Sequence, residues 1–328
     1  MTTVVVPAPA KLNLFLHVLG RREDGYHRLE SLFRLIDFGD TITLRLRDDG
    51  KIIRQRDVPG VAEEKDLCVR AAHLLQQASG ARLGVEIALE KRLPMGGGLG
   101  GGSSDAASVL IALNRMWGLD WQRERLQQLA LQLGADVPLF IFGENAFAQG
   151  IGEQLQPVHL RPAWYVVLIP QCELSTVRVF THEQLTRDSK SIKISDFLDQ
   201  VSQDSQSDVC AENCAENTEL IVKRAHIDGL LHGSLRADVV NYVSEKWVAA
   251  NTKNDLQAVA CLECTAVAEH LAWLGRFSSA RMTGSGACVF AELSNEADAH
   301  QILAVMPKGM RGIVARGLER HPLYDWVG

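Results

Sequence analysis

The alternation of apolar and polar positions predicts a chain built from both strands and helices. Residues 85–89 alternate as a half-buried strand does. Residues 106–117 instead carry apolar side chains at steps of three and four, which is typical of a helix packed on a core, and Gly118 is positioned to end it. Segments 41–47 and 52–56 flank a short Asp- and Gly-containing turn, which predicts an antiparallel hairpin.

The second half of the chain predicts the same mixture of elements in a different order. Residues 164–169 form an apolar run that is typical of a buried strand, and residues 287–293 predict a further strand after a glycine-rich turn. A helical period extends over about 255–274. Because strands and helices do not follow a regular β-α-β alternation, the pattern favours an α+β fold over a doubly wound parallel sheet.

The length and the composition favour two domains, because a chain of 328 residues with 46% hydrophobic residues can bury an ample core. We predict an N-terminal domain over 1–160 and a C-terminal domain over 161–328, with an insertion around 200–250. Residues 203–219 are polar and serine-rich without a core-forming pattern, which predicts a solvated loop or a disordered insertion. Residues 221–248 are compatible with a helix.

The charge and the hydropathy of the chain bear on its partners. A formal net charge of -6 at pH 7 gives no overall basic field, so we expect no nucleic-acid partner. No segment approaches the ~20 apolar residues that cross a bilayer, and the first residues do not resemble a secretory signal. We therefore expect no membrane partner and a cytoplasmic location.

The cysteine content favours reduced thiols over a disulfide framework, because the number of cysteines, 7, is odd and no secretory signal is recognised. Two close pairs, Cys210 with Cys214 and Cys261 with Cys264, together offer four thiolates for zinc. The second pair, however, lies in a stretch with helical periodicity, where small buried thiols are common. We therefore predict no metal site.

A glycine-rich loop between a predicted strand and a predicted helix carries the main chemical signal. Glycines let backbone N–H groups approach an anion, and the first N–H groups of a helix attract phosphate. Ordering six glycines costs much conformational entropy, which argues against a merely flexible turn and favours a binding role. The loop is not a Walker A motif, because it lacks the lysine of that motif. The residues predicted to contact a nucleotide here are Pro94, Met95, Gly96, Gly97, Gly98, Leu99, Gly100, Gly101, Gly102, Ser103 and Ser104.

Several motifs in the same order resemble the GHMP kinases, the superfamily of galactose, homoserine, mevalonate and phosphomevalonate kinases. The motifs are residues 9–16, 22–27, 94–105, 133–138, 146–153 and 282–288. The resemblance implies a two-domain α+β fold, with an N-terminal ribosomal-protein-S5-like domain and a C-terminal ferredoxin-like α/β sandwich domain. The first two motifs are most similar to kinases that transfer the γ-phosphate of ATP to the 2-hydroxyl of a cytidine diphosphate-linked methylerythritol, in non-mevalonate isoprenoid biosynthesis.

The resemblance implies two catalytic residues. Asp136 would act as the general base that accepts the proton of the attacking hydroxyl, and Lys11 would keep this carboxylate ionised and stabilise the charge that develops on the phosphate. From the sequence alone, Asp136 could equally cap a helix, because it stands directly before 137–138. Lys11 could be a solvated surface cation, but its apolar surroundings favour a paired ammonium.

The resemblance also implies the residues that hold the acceptor. Asn13 lies one strand step from Lys11 and would make a hydrogen bond to the substrate. Tyr26 would stack on the cytosine, and His27 would make hydrogen bonds to the base edge. Phe180 would stack on the second face of the base, and Thr176 would make a further contact.

For the nucleotide, the resemblance implies ATP with Mg²⁺ and contacts beyond the glycine loop. Gly284 and Ser285 would form a second glycine turn beside the phosphates, and Lys91 with the Asp66-Leu67 segment would contact the adenine. The position of Asp66 is often Asn in the family, so the adenine contact lacks an amide donor here. No cluster of carboxylates specifies a metal site, and we name no metal ligand.

Two other functions remain open from the sequence. Another GHMP kinase, of the homoserine or mevalonate type, would keep the glycine loop without needing Tyr26 and His27. An RNA-binding module would use the same loop on a fold also found in ribosomal proteins, although the net acidity disfavours it. We expect a small-molecule substrate and a monomer or a weak homodimer.

Overall fold

The computed structural model describes residues 2–58, 60–192, 242–243 and 245–328. The loop predicted at 203–219 and most of the segment 221–248 lie outside the described residues. Among the helices that are described, none is long and apolar enough to cross a membrane.

The first half of the chain forms a six-stranded sheet covered by helices. The strands are β1 (Thr3–Arg21), β2 (His27–Arg47), β3 (Ile52–Arg54), β4 (Gly84–Glu90), β5 (Ala146–Gln149) and β6 (Gln154–Pro157). Their order is β3-β4-β2-β5-β6, and β1 pairs with β2 along its whole length. The helices are α1 (Leu67–Ser79), α2 (Gly101–Met116), α3 (Arg123–Ala130) and α4 (Val137–Phe142). Because α2 is apolar on most of its surface, it is buried between α1, α4 and β1.

The strand predicted at 85–89 and the helix predicted at 106–117 are confirmed as β4 and α2. The predicted hairpin of 41–47 with 52–56 is wrong. β4 inserts between the two segments, so that β2 pairs antiparallel with β4 and β3 pairs parallel with β4. The turn residues predicted a reversal of the chain, but they carried no information about which strand fills the place beside β2.

The second half of the chain forms a four-stranded antiparallel sheet in the order β10-β11-β8-β12 and a two-stranded sheet of β7 with β9. Its strands are β7 (His159–Leu160), β8 (Trp164–Leu168), β9 (Tyr242–Val243), β10 (Ala280–Met282), β11 (Val289–Leu293) and β12 (Gly312–Arg316). Its helices are α5 (Thr176–Thr181), α6 (Glu245–Asn251), α7 (Gln257–Glu263), α8 (Thr265–Leu274) and α9 (Glu296–Ala304).

The strands predicted at 164–169 and 287–293 are confirmed as β8 and β11. The single helix predicted over 255–274 is instead two helices, α7 and α8, because Cys264 between them has an extended backbone with φ -146° and ψ 106°. The predicted domain boundary at 160 falls between the end of β6 and the start of β8, where the chain leaves the first sheet and enters the second.

The two halves contact each other through the long β1–β2 pair. A bridge joins Leu16 to Asn254, and another joins Ile36 to Gly317. Apolar side chains of both halves share one buried cluster, which includes Phe15 from β1. The part of β1 around Phe15 therefore contacts both halves of the chain. The candidate site residues Lys11 and Asn13 lie on the same strand.

The structure corrects the expectation of reduced thiols. Cys172 and Cys264 form a disulfide, which links the segment before α5 to the break between α7 and α8. Cys264 is therefore not available to bind zinc together with Cys261. The other pair of the zinc alternative, Cys210 and Cys214, lies outside the described residues.

Candidate active site

A cavity of about 780 Å³ lies beside the glycine-rich loop and is lined by both halves of the chain. Ligand pockets usually measure roughly 300–1,000 Å³, so this cavity can hold a large ligand or two adjacent ones. Every predicted site residue except Ser104 lines it. The side chains named from distant parts of the sequence are thus brought to one place.

The glycine loop forms one wall of the cavity because its glycines permit close packing. Gly98 has φ +76°, and a Cβ there would lie 2.2 Å from the carbonyl oxygen of Thr283. A Cβ on Gly100 would lie 2.9 Å from Phe140. Gly100 also precedes α2 without a side-chain cap, so the first N–H groups of that helix are available to an anion. This cradle of backbone donors suits the phosphates of a nucleotide.

Ser104 does not contribute its hydroxyl to this cradle. The side chain is fully buried, and its Oγ donates a hydrogen bond of 2.6 Å to the carbonyl oxygen of Pro9. We therefore correct the expectation for Ser104: its hydroxyl fastens α2 to β1 and does not face a phosphate. Ser103, by contrast, lines the cavity.

Lys11 and Asp136 meet at the wall of the cavity. Nζ of Lys11 lies 3.4 Å from Oδ2 of Asp136, and the side chains are 4% and 36% exposed, respectively. Nζ also donates to Oδ1 of Asn13 at 2.5 Å. Asn13 in turn donates from Nδ2 to Oγ of Ser31 at 2.7 Å. Side chains of β1 and β2 therefore hold the Lys11 ammonium in position.

The backbone around Lys11 is tied to the phosphate cradle. The N–H of Lys11 donates to the carbonyl oxygen of Leu99 at 3.0 Å. Thr283, which is fully buried, accepts a hydrogen bond from the N–H of Asn13 at 2.9 Å and donates to the carbonyl oxygen of Gly98 at 3.3 Å. β1, the glycine loop and the second glycine turn therefore keep fixed positions relative to one another.

Asp136 stands at the N-terminus of α4 but makes no side-chain cap there. This observation separates the two interpretations that the sequence left open, because a capping carboxylate would accept a hydrogen bond from the N–H groups of the next turn. The carboxylate instead points to Lys11 and remains partly exposed to the cavity.

Lys91 reaches the cavity but is held by two carboxylates. Its Nζ lies 2.5 Å from Oδ2 of Asp40 and 2.7 Å from Oδ2 of Asp105. Oδ1 of Asp40 also accepts from the N–H groups of Arg92 and Leu93, at 2.5 Å and 2.7 Å, so the strand leading into the glycine loop is anchored. Burial, opposed by the Lys91 ammonium, raises the pKa of Asp105 to about 7. The charge of Lys91 is thus largely neutralised before any nucleotide binds.

Asp66 is buried, and both of its carboxylate oxygens are engaged. Oδ1 accepts from the N–H of Cys68 at 2.9 Å and caps α1, and Oδ2 pairs with Arg54 at 3.2 Å. An Asn at this position could cap the helix equally well, which explains why either residue fits. Asp66 and the neighbouring Leu67 both line the cavity, but the two carboxylate oxygens of Asp66 are already occupied by these partners.

The residues predicted to form the base pocket line the same cavity. Tyr26 is 59% exposed, so its ring is open to stacking. The rings of His27 and Phe180 have centroids 5.2 Å apart with an interplanar angle of 33°. The hydroxyls of Thr176 and Ser285 lie 2.9 Å apart, which links α5 to the second glycine turn.

Two residues near the site, Asp40 and Asp105, were not predicted as part of it, and the hydrogen bonds of Thr283 were not predicted. Thr283 belonged to a recognised motif, but nothing in the sequence showed that its hydroxyl joins Asn13 to the glycine loop. Asp105 directly follows the glycine-rich run, and this position could have indicated a charged partner. Asp40 carried no such signal, because its contact with Lys91 forms only when β2 pairs with β4.

Comparison with known families agrees with this geometry. The profile of the GHMP kinases N terminal domain matches residues 66–144, and the profile of the GHMP kinases C terminal matches residues 244–312. A solved structure of homoserine kinase from Cytophaga hutchinsonii has a TM-score of 0.57 at 17% identity, covering 98% of this chain and 96% of that one. The fold and the phosphate cradle define the class: this is a kinase of the two-domain α+β GHMP type.

More similar proteins narrow the class further. The 4-diphosphocytidyl-2-C-methyl-D-erythritol kinase of Thiobacillus denitrificans is 50% identical over 321 residues, which is 98% of each chain. The protein of that name from Nitrosospira multiformis is 50% identical, covering 98% of this chain and 93% of its own. A crystal structure of 4-(cytidine 5'-diphospho)-2C-methyl-D-erythritol kinase has a TM-score of 0.71 at 28% identity, covering 96% and 99% of the two chains. The chain belongs to the 4-diphosphocytidyl-2-C-methyl-D-erythritol kinase family.

Proposed function

We propose that the protein transfers the γ-phosphate of ATP to the 2-hydroxyl of 4-(cytidine 5'-diphospho)-2-C-methyl-D-erythritol, a step of the non-mevalonate pathway to isoprenoid precursors. One observation carries the proposal: a single cavity is lined by the Lys11–Asp136 pair, by the glycine loop and by the aromatic residues of the predicted base pocket. This combination matches the reacting hydroxyl, ATP and a nucleobase.

Asp136 is the group that takes the proton of the attacking hydroxyl. Its carboxylate is partly exposed to the cavity and is not used as a helix cap, so an alcohol can approach it. Lys11 has three N–H donors, one of which is engaged by Asn13, and its ammonium forms an ion pair with Asp136 at 3.4 Å. We assign a further donor to an oxygen of the phosphoryl group in transfer, where a buried cation stabilises developing charge.

The phosphates of ATP bind to backbone N–H groups of the glycine loop and of the first turn of α2. Among the described residues, no three His, Cys, Asp or Glu side chains come together to hold a metal. We therefore propose that Mg²⁺ enters bound to the triphosphate, where it neutralises phosphate charge. Lys91 acts indirectly: it pairs with Asp40, which in turn binds the backbone of the segment between β4 and the glycine loop.

The acceptor is held by Asn13 near the reacting hydroxyl and by the base pocket at its other end. Tyr26 stacks on the cytosine, Phe180 lies against its second face, and His27 makes hydrogen bonds to the base edge. Homoserine or mevalonate would leave this pocket empty, so acceptors of those types are not favoured. We further propose a cytoplasmic enzyme that acts as a monomer or a weak homodimer and does not bind nucleic acid.

The direct test is ADP release from ATP and Mg²⁺ with four acceptors in parallel: the cytidyl compound, homoserine, mevalonate and galactose. We expect acceptor-dependent release with the cytidyl compound alone. Turnover of homoserine, mevalonate or galactose instead would refute the proposed acceptor while keeping a kinase. Folded protein that releases no ADP with any of the four would refute the kinase function itself.

A further inference from the structure

The guanidinium of Arg187 makes four hydrogen bonds beside the base pocket. Its Nε donates to Nε2 of His27 at 3.2 Å, and Nη1 donates to the carbonyl oxygen of Leu185 at 3.2 Å. Nη2 donates to the carbonyl oxygens of Phe180 at 2.9 Å and of His182 at 2.8 Å. One side chain thus joins the imidazole of His27 to the C-terminal end of α5.

The bond from Arg187 determines where the His27 ring carries its proton. A guanidinium only donates hydrogen bonds, so Nε2 of His27 must accept one and cannot hold a proton. A neutral ring then has its proton on Nδ1. Burial, together with the nearby cations Arg187 and Arg21, lowers the pKa of His27, so the ring is neutral at physiological pH.

We propose that Arg187 is a positioning residue that fixes the Nδ1–H tautomer of His27 and so makes the base pocket selective for cytosine over uracil. The proposal rests on the function proposed above, because it assumes that a nucleobase occupies this end of the cavity. It adds a residue that touches neither the substrate nor the phosphates.

The selectivity follows from the hydrogen-bonding edge of the base. N3 of cytosine is an acceptor, to which the Nδ1–H group of His27 can donate. Uracil carries a proton on N3, so two donors would face each other at that position in a buried site. A ring free to exchange tautomers would accept from uracil at little cost. Fixing one tautomer therefore creates a penalty against the wrong base as well as a bond to the right one.

Arg187 also fixes the stacking group relative to the hydrogen-bonding group. It holds the backbone of Phe180, whose ring lies 5.2 Å from the ring of His27. α5 is short, and its Val177 is 71% exposed, so the C-terminal end of the helix gains order from these bonds. The same guanidinium therefore sets both contacts that the base would meet.

The tautomer is tested without any substrate. ¹⁵N-histidine-labelled full-length protein gives the protonation of each imidazole nitrogen by NMR, and the His27 signal is assigned by its loss in His27→Asn. We expect Nδ1–H in the wild type and a shift toward the Nε2–H form in Arg187→Met. An Nε2–H ring in the wild type, or the same tautomer in both proteins, would overturn the proposal.

Steady-state kinetics test the selectivity. In Arg187→Met we expect KM for the cytidyl acceptor to rise on the order of tenfold with kcat unchanged. The preference for the cytidyl acceptor over its uridyl analogue should fall by a similar factor, on the order of tenfold. A change in kcat alone, or an unchanged preference between the two bases, would overturn the proposal.

The matched control is Arg178→Met, in α5, the helix whose C-terminal end Arg187 holds. Arg178 is exposed and pairs with Glu263, away from His27, so its loss should leave both KM values and the His27 tautomer unchanged. Equal effects of the two substitutions would mean that Arg187 acts only by holding α5 in place.

If Arg187→Met does not fold, Arg187→Lys is measured instead, because an ammonium cannot keep the four hydrogen bonds. A wild type inactive on the cytidyl compound would refute the proposed function. The NMR measurement of the His27 tautomer needs no substrate, so it would still test whether Arg187 fixes that tautomer.

Discussion

Nζ of Lys11 lies 3.4 Å from Oδ2 of Asp136, although one residue is carried by β1 and the other directly precedes α4. The lysine is almost fully buried, and the aspartate opens onto the cavity. A buried ammonium needs a partner, and here the partner is the carboxylate that we assign as the base. The pairing therefore explains both the stability of the buried charge and the position of the reaction.

Replacing Lys11 by methionine should lower activity much more than stability. Met keeps the length of the side chain but removes the donor for the phosphoryl oxygen, so we expect kcat to fall by about 10²–10³-fold. KM for ATP should change less, because the phosphates are bound mainly by backbone groups. Lys308→Met, an exposed lysine, is the control. A kcat within twofold of the wild type would mean that Lys11 is only a structural cation.

The two glycines at 96 and 98 should differ sharply in their tolerance of alanine. Both have positive φ, +66° and +76°, so alanine is strained at either position by about 1–2 kcal/mol. A Cβ on Gly98 would also lie 2.2 Å from the carbonyl oxygen of Thr283, whereas one on Gly96 meets nothing within 4 Å. Urea unfolding and KM for ATP should show the larger loss for Gly98→Ala. Equal losses would contradict the close packing of the loop on Thr283.

Thr283→Val should loosen the contact between β1 and the glycine loop. Valine keeps the shape of threonine but leaves the N–H of Asn13 and the carbonyl of Gly98 without that partner, at a cost of about 1–3 kcal/mol per group. We expect a lower free energy of unfolding together with a lower kcat/KM. Thr283→Ser should restore most of both, since it returns the hydroxyl. Failure of serine to restore them would mean that packing of the methyl group matters more than the hydrogen bonds.

The Lys91–Asp105 pair should give the stability of the protein a distinct pH dependence. Burial raises the folded-state pKa of Asp105 to about 7, whereas an aspartate in the unfolded chain titrates near its ordinary pKa of about 3.9. Between about pH 4 and pH 7 the folded state thus binds more protons than the unfolded state, so this contribution to the free energy of unfolding is lost as the pH rises.

Asp105→Asn removes the titrating group, and its free energy of unfolding should fall less between pH 5 and pH 8 than that of the wild type. Urea titrations at the two pH values measure this difference. The exposed Asp48→Asn should behave like the wild type. The same pH dependence in Asp105→Asn as in the wild type would contradict the assignment.

The sequence predicted the parts of the fold and the site that depend on local patterns. Alternation and helical periodicity were sufficient for β4 and α2, and the glycine run located the loop that lines the cavity. The motif resemblance supplied Lys11 and Asp136, whose roles did not follow from spacing. All of these are properties of contiguous residues.

Features that depend on distant contacts were not predictable. β4 takes the place beside β2 because of the sheet as a whole, which a turn sequence does not encode. No glycine or proline beside Cys264 indicates that the helix is interrupted there. The hydrogen bond from Arg187 to His27 joins residues that are far apart in the chain and meet only in the folded protein.

The most direct test of the account compares the wild type with Asp136→Asn in a single turnover of γ-labelled ATP with the cytidyl acceptor, at saturating concentrations of both. We predict that the wild type transfers the label to the acceptor, and that the variant binds ATP normally but transfers the label about 10²–10⁴-fold more slowly. Transfer by Asp136→Asn at close to the wild-type rate would contradict the assignment of Asp136 as the base.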